Sequence, residues 1–243
     1  MLTMCGESEG MRIMLPAFAA AVIAASAAEA APNTRNYSVT TFSKVRLEGP
    51  YKVHLVTGVS PFARASGSQQ ALDGVALEVQ GRTLVVRSNR SAWGGYPGTQ
   101  TGPVEIHVGT HDLSAAFLNG AGSLSIDKIR GLSFELWIQG SGSANVAAVD
   151  VDQLKVGISG AASATLAGKA PKLTATVRGT SQFDASALST KDLVVNTEGP
   201  SIVKVNAVSS AKIDASGIAT IDVAGGAACT VKANGSVTVT GCQ

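Results

Sequence analysis

The feature that most constrains this chain is a glycine, most often followed by a small residue, that returns at nearly equal intervals. Gly120, Gly140, Gly160, Gly179, Gly199, Gly217 and Gly235 are spaced by 20, 20, 19, 20, 18 and 18 residues. Fixed offsets from these anchors carry fixed chemistry. Two before the anchor stand Leu118, Ile138, Ile158, Val177, Thr197, Ala215 and Ala233; four before stand Ala116, Leu136, Val156, Ala175, Val195, Ile213 and Val231. Four after stand Leu124, Ala144, Ala164, Phe183, Val203, Ile221 and Val239. The residues between these columns are mixed and mostly polar. Alternation of period two on both sides of a glycine is two short strands joined at a turn.

A unit of about 20 residues cannot bury its own apolar face, so equivalent units must stack and share one core. Strands of successive units then pair in parallel, like position on like position, about 4.8 Å apart. Glycine occupies the turn because a sharp corner needs backbone angles that a Cβ resists, and because stacked corners crowd one another. The expected fold is all-β: a parallel β-helix, or solenoid, of 18–20 residues per coil over residues 111–243. Hairpin dipeptides that would argue for a sandwich or barrel fall only at the anchors, as Asn119-Gly120 and Asn234-Gly235. Residues 37–110 also read as strands but without the regular repeat. "SKVRLEGPYKVHLVTG" alternates, "ALEVQGRTLVVRS" reads as two strands about Gly81-Arg82, and "GPVEIHVGT" as another. This part is expected to form the first irregular turns, to cap the open end and to be continuous with the repeats as one domain, since an uncovered terminal coil would template edge pairing.

The first 30 residues are a different kind of sequence. Met11-Arg12-Ile13-Met14 precedes the apolar run "LPAFAAAVIAASAAEAA", ending in an Ala28-Glu29-Ala30 site; this is the pattern of a secretory signal peptide cleaved after Ala30. Residues 1–10 do not fit the basic start of such a peptide and suggest an over-extended start. The run is too short and alanine-rich to span a membrane. Cleavage would remove Arg12, Glu7, Glu9 and Glu29, moving the net charge from +2 to +4. No basic stripe with interleaved aromatics accompanies that charge, so nucleic acid is not an expected partner. Cys229 and Cys242 would be the remaining cysteines, and in an exported chain they are expected to form a disulfide tying down the last coil. The expected location is periplasmic or extracellular.

Sequence signals for chemistry are sparse. His107 and His111 are spaced as helical metal ligands would be, but they flank a strand end, and with His54 they complete the three histidines. Ser159 sits in "GISGA", which lacks the full spacing of a nucleophile elbow. "GAGSLS" and "GSGSAN" lack the third glycine and following helix of a dinucleotide loop. No acidic column suits calcium, and the outward acids Asp127, Glu135, Asp184, Asp214 and Asp222 do not converge as a glycoside-cleaving pair must. Neither a cofactor nor a metal is expected. One outward feature stands out: Phe117 and Trp137 occupy one column in adjacent coils, with Trp93 and Tyr96 in the loop "NRSAWGGYPGTQTGP" near enough in the chain to lie against them. Aromatics in such a place are either covered by that loop or form a binding patch.

"TFSKVRLEGPYKVHLVTG", "LDGVALEVQGRTLVVRS" and the recurring "NGAGSLSI", "QGSGSANV" and "SGAASATL" resemble, in this order along the chain, the GIN-domain family, the head domain assigned to auto-transporter adhesins. The resemblance runs from Phe42 to Gly241. It implies a β-helical protein of the bacterial envelope that adheres or scaffolds, its partner a glycan or a surface protein, and it supplies no catalytic motif. Gly179-Thr180 and Gly199-Pro200 depart from the pattern by lacking the small residue after the glycine. The alternative expectation is a carbohydrate-active or small-ligand-binding β-helix.

Overall fold

The computed structural model of the protein describes residues 33–89 and 102–243. The chain climbs as a parallel β-solenoid. Strands β2 (Lys44–Glu48) and β3 (Lys52–Thr57), joined at Gly49, make its first coil. After the cap strands described below, the chain continues through β8 (Ala115–Gly120), β9 (Ser123–Gly140), β10 (Ser143–Gly160), β11 (Ser163–Lys169), β12 (Lys172–Gly179), β13 (Ser181–Glu198), β14 (Ser201–Ala224) and β15 (Ala228–Thr240). Every pairing among these strands is parallel.

The register is the one the glycine count predicts. Gly120 lies opposite Gly140, Gly140 opposite Gly160, Gly160 opposite Gly179, and Gly217 opposite Gly235. Arg178 opposite Glu198 and Glu198 opposite Ser216 set Gly199 in the same file. Even the unequal spacings have a structural cause. The 19-residue interval arises in β11, where the register shifts between the pairs Val146–Leu166 and Val149–Gly168. The first 18-residue interval arises in β14, where the pairs Ala185–Val205, Thr190–Ala207 and Asp192–Ser210 mark two shifts. Length changes are absorbed at the bends, so the glycine corners stay stacked.

Within a coil the buried side chains form three short runs. In β10 these are Ala144 and Val146, then Val149 and Val151, then Leu154, Val156 and Ile158. Each run keeps period two, and the phase slips by one residue between runs, which is how a strand turns a bend while keeping apolar groups inside. Phe134, Phe183, Leu124 and Ile126 are fully buried in the shared core. That core also holds hydroxyls: Thr190, Thr197 and Ser201 are buried, and their side-chain oxygens lack a hydrogen-bond partner. Thr197 continues the file of Leu118, Ile138, Ile158 and Val177. Thr197→Val keeps the shape and removes an unpaired hydroxyl, so it is expected to stabilise the protein by about 1 kcal/mol, read as a rise in the thermal midpoint; a fall would show that the hydroxyl is satisfied by water.

The two ends differ. At the N-terminal end β6 (Thr83–Ser88) runs parallel beneath β2, and β7 (Glu105–Thr110) parallel beneath β3. Then direction reverses: β5 (Val75–Gln80) is antiparallel to β6, β4 (Phe62–Gly67) to β7, and β1 (Asn33–Tyr37) to β4. One helical turn, α1 (Gln69–Asp73), is capped by the Ser68 side chain accepting from the Ala71 N–H and buries Ala71 and Leu72 against this cap. At the C-terminal end nothing covers β15 among the described residues. Its inward files are accordingly not core: Val231 is 41% exposed, and Val237 and Val239 are half-buried. The repeat pattern predicts these positions as apolar walls, but a wall needs a coil on both sides to be dry.

Candidate functional site

The seven anchor glycines all have positive φ, from +83° at Gly179 to +115° at Gly140. Their alignment fixes which outward side chains become neighbours. Three residues before the anchor, the file runs Arg46, Phe117, Trp137, Gly157, Thr176 and Asn196. One residue before it runs Glu48, Asn119, Gln139, Ser159, Arg178 and Glu198. The two files stand side by side on one wall, with Leu118, Ile138 and Ile158 between them pointing into the core.

Trp137 remains 45% exposed, and Phe117 is half-buried. The indole leans across Gly157: a Cβ added there would stand 2.1 Å from Trp137 Cε3. Gly157 is therefore the seat of the ring, a role that the Gly-rich sequence around it conceals. Beside the indole lies an open groove of 370 Å³ edged by Asn119, Gln139, Ser159 and Arg178. Arg178 Nε is 3.2 Å from Glu198 Oε2. Glu135, on the other flank, is 3.3 Å from Lys155 Nζ. Trp93 and Tyr96 lie outside the described residues.

A second polar cluster sits where the first coil meets its cap. The His54 and His107 rings stack with centroids 5.1 Å apart, because β3 and β7 place them opposite each other. His54 Nε2 is 3.1 Å from Glu105 Oε1, and Lys52 Nζ is 2.9 Å from the same oxygen. The hydrogen bonds from Lys52 and then His54 hold the Glu105 carboxyl below the usual glutamate range. The depressed folded value means this contribution to stability is present above the unfolded glutamate range and fades as pH falls through the folded one. Glu105→Gln is accordingly expected to flatten the acid limb of a plot of melting temperature against pH, with no change in shape near neutrality; an unchanged limb would show the cluster to be energetically silent. In sequence, His107 and His111 flank a strand end and neither shows a partner. The neighbour of His107, His54, is far away in the chain, and only the strand pairing brings it there. Among the described residues no group of three or more His, Cys, Asp or Glu side chains is arranged to hold a metal ion, and no helix is long and apolar enough to cross a membrane.

At the far end Cys229 and Cys242 are joined as a disulfide, with Cα atoms 5.5 Å apart. Cys229 lies opposite Ala211, in the inward file of Phe134, Leu154, Leu173 and Leu193. The bridge thus closes the last coil on itself over that file.

The described residues thus form a parallel β-solenoid, capped at its N-terminal end, with an aromatic groove on one wall. The chain belongs to the family described as "Putative auto-transporter adhesin, head GIN domain", whose pattern matches residues 41–240. Crystal structures share the fold at low sequence identity. A "putative adhesin" from Bacteroides fragilis superposes with a TM-score of 0.75 at 17% identity, covering 87% of this chain and 95% of that one. A "putative lipid binding protein" from Parabacteroides distasonis gives 0.65 at 15% identity, covering 87% and 98%. A "putative adhesin" from Parabacteroides merdae gives 0.64 at 15%, covering 87% and 96%. No curated protein matches the sequence.

Proposed function

We propose that this chain is an exported, non-catalytic binding module of the bacterial cell envelope, which attaches to a surface molecule through the wall that carries Trp137. The observation that carries this reading is the half-exposed indole seated over Gly157 beside the 370 Å³ groove. A large aromatic on a rigid sheet, held in one orientation, is a contact residue that loses little entropy on binding. The carboxylates nearest the groove, Glu135 and Glu198, are each paired with a cation and stand in different files of different coils, which suits a binding face better than an acid–base pair. Export is supported by the signal-like leader and by the disulfide, a bond that persists in oxidising compartments.

The test has two arms. Full-length protein expressed with its own leader is expected in the periplasm or the medium, shortened by the leader and with Cys229 and Cys242 oxidised. Purified protein is expected to attach to bacterial envelopes or host cells without releasing reducing ends from polysaccharides. Retention in the cytoplasm would remove the export half of the proposal, and polysaccharide cleavage would replace the binding module with an enzyme.

A further inference from the structure

We infer that the Trp137 groove takes a neutral glycan, one pyranose ring lying flat on the indole with its hydroxyls against the neighbouring polar file; this rests on the binding-module reading above. The groove presents two kinds of surface. Its apolar part is the Trp137 indole, which lies across Gly157, where no side chain displaces it. Its edge is Asn119, Gln139 and Ser159 in successive coils, two amides and a hydroxyl repeating at the strand spacing of about 4.8 Å. Each of these groups both donates and accepts hydrogen bonds. The complementary ligand has one flat apolar face and a rim of groups that donate and accept. A pyranose has that shape: axial C–H bonds form the face and equatorial hydroxyls the rim.

The surroundings exclude the other ligands an exposed aromatic can serve. A single-stranded nucleic acid stacks on aromatics but also needs a cationic track; the groove has one guanidinium, that of Arg178, and the Glu198 carboxylate stands 3.2 Å from it. The carboxylate balances the guanidinium's charge, so the groove offers no net positive charge to a uronate or sulfated sugar, hence the neutral class. An extended peptide adding to the sheet needs an open strand edge, whereas β9 and β10 here are paired on both sides. A lipid chain would leave the amides of Asn119 and Gln139 desolvated without partners. The groove's 370 Å³ lies at the small end of ligand sites, suited to one or two sugar rings with the rest of the polymer running past.

The experiment uses the full chain carrying Trp93→Phe, so that fluorescence reports Trp137. The probes are cellohexaose, laminarihexaose and mannohexaose as neutral ligands, with hexagalacturonate and a heparin oligosaccharide as acidic ones, up to about 10 mM, the weak end of useful affinity. At least one neutral hexasaccharide is expected to change the Trp137 emission saturably. Trp137→Ala, followed by calorimetry, and Gly157→Ala, which drives a methyl into the indole and tilts it, are each expected to weaken binding about tenfold, with unchanged far-UV circular dichroism. Tighter, salt-sensitive binding of the acidic probes would overturn the neutral assignment. If no sugar binds while cell attachment is lost in Trp137→Ala, the glycan is overturned and the binding module stands. If neither sugar binding nor attachment is found, both fall.

Discussion

Gly160→Ala is expected to destabilise the solenoid by about 3–5 kcal/mol, among the largest effects of adding a single methyl, and to lower its thermal midpoint by roughly 10 °C. Two costs add. Gly160 has φ of +113°, a region costing non-glycine residues about 1–3 kcal/mol. The new Cβ would also stand 2.3 Å from the carbonyl oxygen of Gly140 in the coil below. That oxygen is backbone inside a paired sheet, so no rotamer change relieves the contact; the coils themselves must part. Gly81→Ala is the control. It has φ of +62° and nothing within 4 Å of the added methyl, so it bears the conformational cost alone, about 1 kcal/mol. Because stability in a stacked array is a sum over neighbouring units, the damage in Gly160→Ala should also be local. The urea transition is expected to split, with the coils on either side of the Gly140–Gly160 interface unfolding separately. A midpoint within a degree or two of Gly81→Ala would mean that corner crowding does not hold the glycines in place.

The same crowding explains how much of the fold was legible from sequence. A parallel stack imposes one constraint per coil, repeated, and the repeats make it visible: the glycine file, the inward files and even the register follow from counting. Gly179-Thr180, Gly199-Pro200 and Gly217-Ile218 break the small-residue pattern yet keep the file, because positive φ at the glycine fixes the corner and the next residue faces outward. Legibility stops where repetition stops. The cap mixes parallel and antiparallel partners from distant parts of the chain, so the stacked His54 and His107 left no local trace, and α1 is a single turn too short to show a period. On the outward wall the Phe117–Trp137 file was readable from offsets, whereas Gly157 was not: in sequence it is one more glycine, and only the indole lying over it shows why a side chain is excluded. The open C-terminal coil carries the repeat's apolar pattern without its burial, since pattern encodes which way a residue points and not whether another coil lies above it.

That last coil is where covalent chemistry is expected to matter most. Removing the Cys229–Cys242 bridge, by reduction or by Cys229→Ser with Cys242→Ser, is expected to cost about 3 kcal/mol, the chain-entropy value for a loop of this size, and to spend nearly all of it in β15. Interior coils are held from both sides. The last is held from one, by its pairing with β14, while Val231 stands 41% exposed. Without the bridge the terminal turn has little apolar burial to oppose its own chain entropy. Hydrogen exchange should therefore separate the regions: amides of Ala228–Thr240 lose protection on reduction, while those of Ser143–Gly160 keep theirs. Fraying would then uncover β14, an edge with the alternating apolar pattern that recruits other strands, so the reduced protein is expected to aggregate sooner on heating than the oxidised one. Unchanged protection across Ala228–Thr240 would show that strand pairing alone secures the coil. Loss of protection throughout the chain would show a solenoid that unfolds as one cooperative body, with no independence between its turns.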